Sequence, residues 1–142
     1  MKIVIINGPN LNLLGKREPN VYGNISFEAY FGQLQSTFSS IELVYFQSNI
    51  EGELIDALQL HGFDSAGIII NPGGYTHTSV AIGDAIAAIT APVIEVHISN
   101  IHAREDFRKI SHVSAKAVGT IAGLGLSGYT LAINWLMNHK GA

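Results

Sequence analysis

The sequence predicts an α/β fold: a doubly wound, five-stranded parallel sheet with helices on both faces. Three observations carry this. Five short apolar runs are nearly continuous rather than alternating, the mark of strands buried on both sides. Stretches with helical spacing separate them, as βα units require. Polar residues collect just past the ends of the runs, where an open α/β sheet places its ligands.

The first strand is Lys2–Ile6, and it runs into a loop from Asn7 to Gly23 that glycine and proline punctuate. Ser26 can cap a helix reaching about Ser40, with Phe27, Tyr30, Phe31, Leu34 and Phe38 at helical spacing. Strand two is Glu42–Phe46. Helix two, from about Ile50 to His61, is stopped by Gly62, and strand three is Ala66–Ile70. Helix three, about Ser79–Thr90, ends before Pro92, which introduces strand four, Val93–His97. A short helix over Arg104–Lys109, a fifth strand around Val118–Ala122 and a last helix over about Ser127–Asn138 complete the series. Five such units read as a flavodoxin-like fold.

Bulk properties bound the function. The chain of 142 residues is long enough to bury a core without staples and reads as one domain, 1–142, with a lid loop at about 15–24. It is 47% hydrophobic with a net charge of −3, which argues against nucleic acid as a partner. With no cysteine there is neither a disulfide framework nor a thiolate metal site. The N-terminal apolar run is too short for a secretion signal and no stretch is long enough to span a bilayer, so a cytoplasmic protein without membrane contact is expected.

Three polar loops converge on one rim. Strand one is followed by Asn7, Asn10, Arg17 and Tyr22, strand three by Asn71–Thr78, and strand four ends in His97 and passes to Ile98, Ser99 and Asn100. Ser48 and Asn49 after strand two contribute less, and the glycine-rich 123–128 segment has the wrong spacing and position for a dinucleotide fingerprint, so close packing is its expected role. Each candidate also has a plainer reading. A loop as long as 7–23 is a lid, a binding loop or a solvated excursion. His97 closes an apolar strand and can be a satisfied rim residue, although Glu95, two positions back on the same strand face, can hold its imidazole. His77 can be a helix-cap neighbour, and Asn71 can serve only its Asn–Pro turn. Asp84 sits in an apolar helix, an awkward place for a carboxylate unless it meets solvent or another chain. Arg104 and Arg108, two of only three arginines, can pair with Glu105 or Asp106. His97 and His102 lack the spacing of a zinc motif.

The runs Asn7–Gly23 (NGPNLNLLGKREPNVYG), Gln47–Asp56 (QSNIEGELID), Ile70–Ile82 (INPGGYTHTSVAI), Glu95–Phe107 (EVHISNIHAREDF) and Ile121–Leu131 (IAGLGLSGYTL) span nearly the whole chain. Together they resemble the type II 3-dehydroquinate dehydratases. The resemblance implies a flavodoxin-like fold, a homododecamer built as a tetramer of trimers, and dehydration of 3-dehydroquinate to 3-dehydroshikimate without cofactor or metal. It makes Tyr22 the general base, assisted by Arg17, and His97 the general acid, supported by Glu95 and Asn71. It gives substrate binding to Asn71, His77, Ile98, Ser99 and Arg108, brings Asp84 from a neighbouring subunit, and gives Asn10 the water that stabilises an enolate oxygen. Ile50, Gly74, Gly83 and Ala115 stand where the family commonly has histidine, alanine, arginine and proline.

Elementary chemistry agrees with these roles. A phenol with an ordinary pKa of ~10 is a base near neutrality only if a cation stabilises the phenolate, and a guanidinium does so without competing for the proton. Donors aimed at an enolate oxygen are commonly worth about 2.7 to 4 kcal/mol each. A Schiff-base route would need a buried lysine, and Lys2, Lys16, Lys109, Lys116 and Lys140 are poorly placed for it. Two competing classes remain. An anion-binding regulatory module would need neither the Tyr–Arg nor the Glu–His pair, and a phosphoryl-transfer enzyme would want an acidic metal site or a Gly-rich loop after strand one.

Overall fold

Continuous apolar strands must be covered on both sides, and they are. The computed structural model describes residues 1–16, 20 and 24–139. Within them lie strands β1 (Lys2–Asn7), β2 (Glu42–Gln47), β3 (Gly67–Asn71), β4 (Val93–His97) and β5 (Gly119–Ala122) and helices α1 (Phe27–Thr37), α2 (Glu51–His61), α3 (Val80–Ala88) and α4 (Ser127–Asn138). All strand pairs are parallel and the order is β2-β1-β3-β4-β5. The order reverses between β1 and β3, and the crevice at such a reversal is where doubly wound sheets bind ligands. No helix among the described residues is long and apolar enough to cross a membrane.

Successive residues of a strand face opposite ways, so the sheet divides the core in two. On one side Ile3, Ile5, Ile69, Ile94 and Val96 pack against α1 and α4 through Phe27, Leu34, Tyr129, Ile133 and Leu136. On the other, Val4, Ile6, Ile68, Ile70 and Val93 pack against α2 and α3 through Leu54, Leu58, Ile82 and Ile86, with Val113 joining them. The parity matters at the rim. Asn7 and Asn71 end their strands on the α4 side, whereas Glu95 and His97 lie on the α3 side.

The elements follow the sequence reading with several adjustments, among them α1, which ends at Thr37 and not near Ser40. Strands β1, β2 and β3 each run one residue further than their apolar runs, because Asn7, Gln47 and Asn71 stay in the ladder, with Asn7 paired to both others. Helix α3 stops at Ala88, since the N–H groups of Thr90 and Ala91 turn to the carbonyl of Gly62. The expected 104–109 helix is two short 3₁₀ turns, Ile101–Ala103 and Asp106–Lys109, with Arg104 and Glu105 extended between them. Gly62 ends α2 in ordinary right-handed conformation; its glycine is needed because a Cβ would lie 2.4 Å from Ile89 Cγ2. In the 123–128 segment, Gly128 supplies the expected close packing, against Val96 and Ile121, while Gly123 and Gly125 are required by positive φ.

Helix α3 carries the face that meets β4, and Ser79 starts it. Its Oγ, almost wholly buried, accepts from the Ile82 N–H at 2.9 Å. Ser79→Ala is expected to cost about 1 to 2 kcal/mol, read as a lower urea midpoint at unchanged slope.

Candidate active site

The carboxyl ends of β1, β3 and β4 leave a cleft of about 120 Å³ whose walls include Asn10, Asn71, His77, His97, Ser99 and Arg108. Of the residues singled out in the sequence, the structure therefore brings these six and Ile98 together. Glu95 stands directly behind them. Asp84 does not join this cleft; it is exposed on α3 and lines a separate groove with Gly83, Ser111, His112 and Lys116. Arg17 and Tyr22 lie outside the described residues.

Glu95 and His97 lie two apart on β4, so one face of the strand presents both. His97 Nε2 is 3.0 Å from Glu95 Oε2, and the two side chains are 6% and 0% exposed. The ring N–H is angled off a straight hydrogen bond, so the contact is chiefly electrostatic. With Nε2 turned inward to the carboxylate, Nδ1 is the nitrogen left for a ligand. Burial by itself would raise the Glu95 pKa, but the adjacent His97 and the hydroxyls of Ser111 and Ser114 outweigh it and hold the carboxyl below its ordinary range. Ser111 Oγ donates to Oε1 at 2.7 Å and Ser114 Oγ to Oε2 at 2.8 Å.

His77 faces the same space, its ring stacked 6.5 Å from that of His97. Its Nδ1 must carry the hydrogen, because its partner at 2.7 Å is the Ile110 carbonyl, which only accepts. Burial lowers the His77 pKa, and His97 and Arg108 lower it further against the opposing pull of the Ile110 carbonyl and Glu95. His77 is thus a neutral ring with Nε2 available as an acceptor. Arg108 lines the cleft and also pairs with Glu105, lying 4.9 Å over the Phe107 ring, so the ion-pair reading of this arginine holds. Arg104, a second guanidinium on the rim, donates from Nη1 to Ser99 Oγ at 3.3 Å.

On the other face of the sheet the asparagines are held by a buried phenol. Tyr129 of α4 donates its hydroxyl hydrogen to Asn7 Oδ1 at 2.8 Å and accepts from Asn71 Nδ2 at 3.2 Å. Burial raises the Tyr129 pKa, which keeps that hydrogen in place. Asn71 Oδ1 accepts from the Gly73 N–H, so the expected Asn–Pro turn is real. Asn71 makes no contact of this kind with His97; its support goes to Tyr129 and the turn.

Asn10 adopts φ 72°, a left-handed conformation that asparagine tolerates better than most residues. Asn49 Oδ1 holds it there by accepting from the Asn10 N–H at 3.0 Å, and Gln47 Nε2 donates to the same oxygen. Asn49, which looked peripheral, is a support of the cleft. Ser111, Ser114 and Tyr129 gave no signal of their own in the sequence beyond a Ser-x-x-Ser spacing in a loop and a hydroxyl on an otherwise apolar helix face. The departures from family pattern also find places. A Cβ on Gly74 would meet nothing within 4 Å, whereas one on Gly83 would lie 2.3 Å from the His112 carbonyl.

A buried carboxylate–imidazole pair beside amides and guanidinium groups, on the switch rim of a doubly wound sheet, makes a small polar cleft of the kind enzymes place there, suited to an anion. Residues 1–137 match the family model for dehydroquinase class II. The chain belongs to the class II dehydroquinases. It is 55% identical over 140 residues to the 3-dehydroquinate dehydratase of Exiguobacterium sp., covering 98% of this chain and 96% of that one. It is 53% identical over 136 residues to that of Helicobacter hepaticus, with 94% and 86% covered. The crystal structure of type II dehydroquinase from Butyrivibrio crossotus superposes with a TM-score of 0.92 at 48% identity, over 97% of this chain and 98% of that one. A 3-dehydroquinate dehydratase-like protein from Bifidobacterium longum aligns at a TM-score of 0.66 and 26% identity, over 96% and 94%.

The Glu95 shift fixes a pH dependence. A carboxyl whose pKa is lower folded than unfolded adds stability above the free range of ~4.3 and loses it as pH falls through the folded value. Urea titrations are expected to show stability falling below about pH 4, with a shallower fall in Glu95→Gln.

Proposed function

We propose that this chain dehydrates 3-dehydroquinate to 3-dehydroshikimate through an enolate. Tyr22, held as phenolate by the charge of Arg17, takes the C2 proton, and the electron pair passes into the enolate. The enolate then collapses to form the C1–C2 double bond as the C1–O bond breaks. His97 gives its proton to the departing hydroxyl, which leaves as water. Glu95 keeps the imidazole oriented for that step. Asn10, with a water, stabilises the enolate oxygen. Asn71, His77, Ile98, Ser99 and Arg108 hold the substrate's hydroxyls and carboxylate.

The single observation that carries this reading is the buried Glu95–His97 pair opening onto the cleft, in a chain 55% identical to a named 3-dehydroquinate dehydratase. An anion-binding module has no use for a desolvated carboxylate behind an imidazole, and a proton donor does. The reaction calls for no cofactor. Residues 1–142 act in this reading as one catalytic domain of a cytoplasmic enzyme, with 15–24 as its lid.

Asp84, exposed on α3 and away from its own cleft, fits a role in a neighbour's cleft. The proposed assembly is therefore a homododecamer, a tetramer of trimers, in which cleft and carboxylate come from different chains.

Purified protein mixed with 3-dehydroquinate is expected to produce the conjugated enone absorbance of the product. Tyr22→Phe and His97→Ala should each lose at least about 100-fold in kcat. No turnover by the parent, or full turnover by Tyr22→Phe, would sink the assignment. In sizing chromatography the active species should elute as the dodecamer; a fully active monomer is incompatible with the role given to Asp84.

A further inference from the structure

We propose that Ser111 and Ser114 are positioning residues for the proton-delivering pair, clamping the Glu95 carboxylate in its ionised form at a set angle to His97. The inference rests on the reading of His97 as the acid and goes beyond it, to the part of the chain that holds the acid's partner.

A serine hydroxyl has one hydrogen and two lone pairs. Ser111 Oγ already accepts from the Val113 and Ser114 N–H groups, at 3.1 and 3.0 Å, so its hydrogen must go to Glu95 Oε1. Ser114 Oγ accepts from Thr120 Oγ1 at 3.2 Å, and its hydrogen goes to Oε2. Both hydroxyls are thereby locked as donors, one to each carboxyl oxygen, an arrangement that favours the ionised form. Thr120 is the β5 residue in register with Glu95, so the clamp closes through the sheet itself.

The segment that carries the serines is pinned at three further points. The His112 N–H donates to the Thr76 carbonyl at 2.9 Å, Val113 is fully buried in the α3-side core, and the His112 carbonyl rests on α3 where Gly83 has no Cβ. A side chain that must deliver a proton along one line benefits from a partner that cannot rotate.

Without the hydroxyls, Glu95 remains buried but loses two donors to its charged form, so it takes up a proton at higher pH and is free to turn from His97. Among the described residues, the titratable and charged groups facing the pair from other elements are His77 on the 73–77 turn and, beyond it on the cleft rim, Arg104 and Arg108. On the outer side of the segment stand Asp84 of α3 and the segment's own His112 and Lys116. The serine variants change none of them.

The test follows the Glu95 carboxyl carbon by ¹³C NMR through a pH titration of the full-length protein, its resonance assigned with Glu95→Gln, alongside kcat and KM for 3-dehydroquinate. Ser114→Ala should move the Glu95 midpoint to higher pH, the double Ser111→Ala/Ser114→Ala should move it further, and Ser114→Thr should restore it. In the double variant kcat should fall about tenfold or more with KM within about twofold. Ser111→Ala also strips the acceptor from two backbone N–H groups, so Ser114→Ala is the deciding arm. An unmoved Glu95 midpoint in Ser114→Ala overturns the clamp whatever happens to kcat, and so does a moved midpoint with parental kcat in the double variant. A parent that does not convert 3-dehydroquinate overturns the proposed reaction instead, and the NMR midpoints still read the clamp.

Discussion

One buried negative charge organises the rim. Glu95 lies at the centre of β4, flanked by strands on both sides and wholly shielded from water, where an unpaired carboxylate is far too costly to keep. It therefore demands partners, and the fold supplies three: the imidazole two residues on and two hydroxyls from the segment that returns between α3 and β5. The approach of that segment, the placing of Thr120 on β5 and the close packing on Gly83 all follow from satisfying this charge. The same low dielectric that makes the carboxylate expensive makes it effective on its neighbour.

The second polar device lies across the sheet. Strand parity turns Asn7 and Asn71 toward α4, where a single phenol joins both, and turns Glu95 and His97 toward α3. The cleft lies over the sheet edge between the two, so one wall is amide and neutral while the other carries the imidazole and its carboxylate. Alternation along a strand, usually a rule about burying apolar faces, here sorts the amides from the carboxylate–imidazole pair.

How much of this could be read from the chain depends on sequence separation. The parallel sheet and the helices were legible because apolar runs and helical spacing are local signals. The Glu95–His97 pair was legible because i and i+2 share a strand face. The clamp was not, since Ser111 and Ser114 meet Glu95 across 16 and 19 residues and a loop with no periodicity to extrapolate. Tyr129 is further off still, 58 residues from Asn71 and 122 from Asn7, and within α4 it counts as one more apolar position. Gly62 ends α2 as its position suggests, but part of the demand for glycine there was hidden for a related reason: it comes from Ile89, 27 positions on. Contacts of this kind exist only once the chain has folded.

Gly83 carries a consequence for how this sequence can vary. In isolation α3 would gain up to ~1 kcal/mol by replacing that glycine with alanine, so drift toward better helix formers ought to remove it. The carbonyl of His112 stands where the new methyl group would go, and behind it are the hydroxyls on Glu95. A larger residue at 83 is therefore admissible only together with a different course of the 111–114 backbone. The two stretches form an epistatic unit: a substitution neutral in one background is harmful in the other, and homologues should exchange them as a pair.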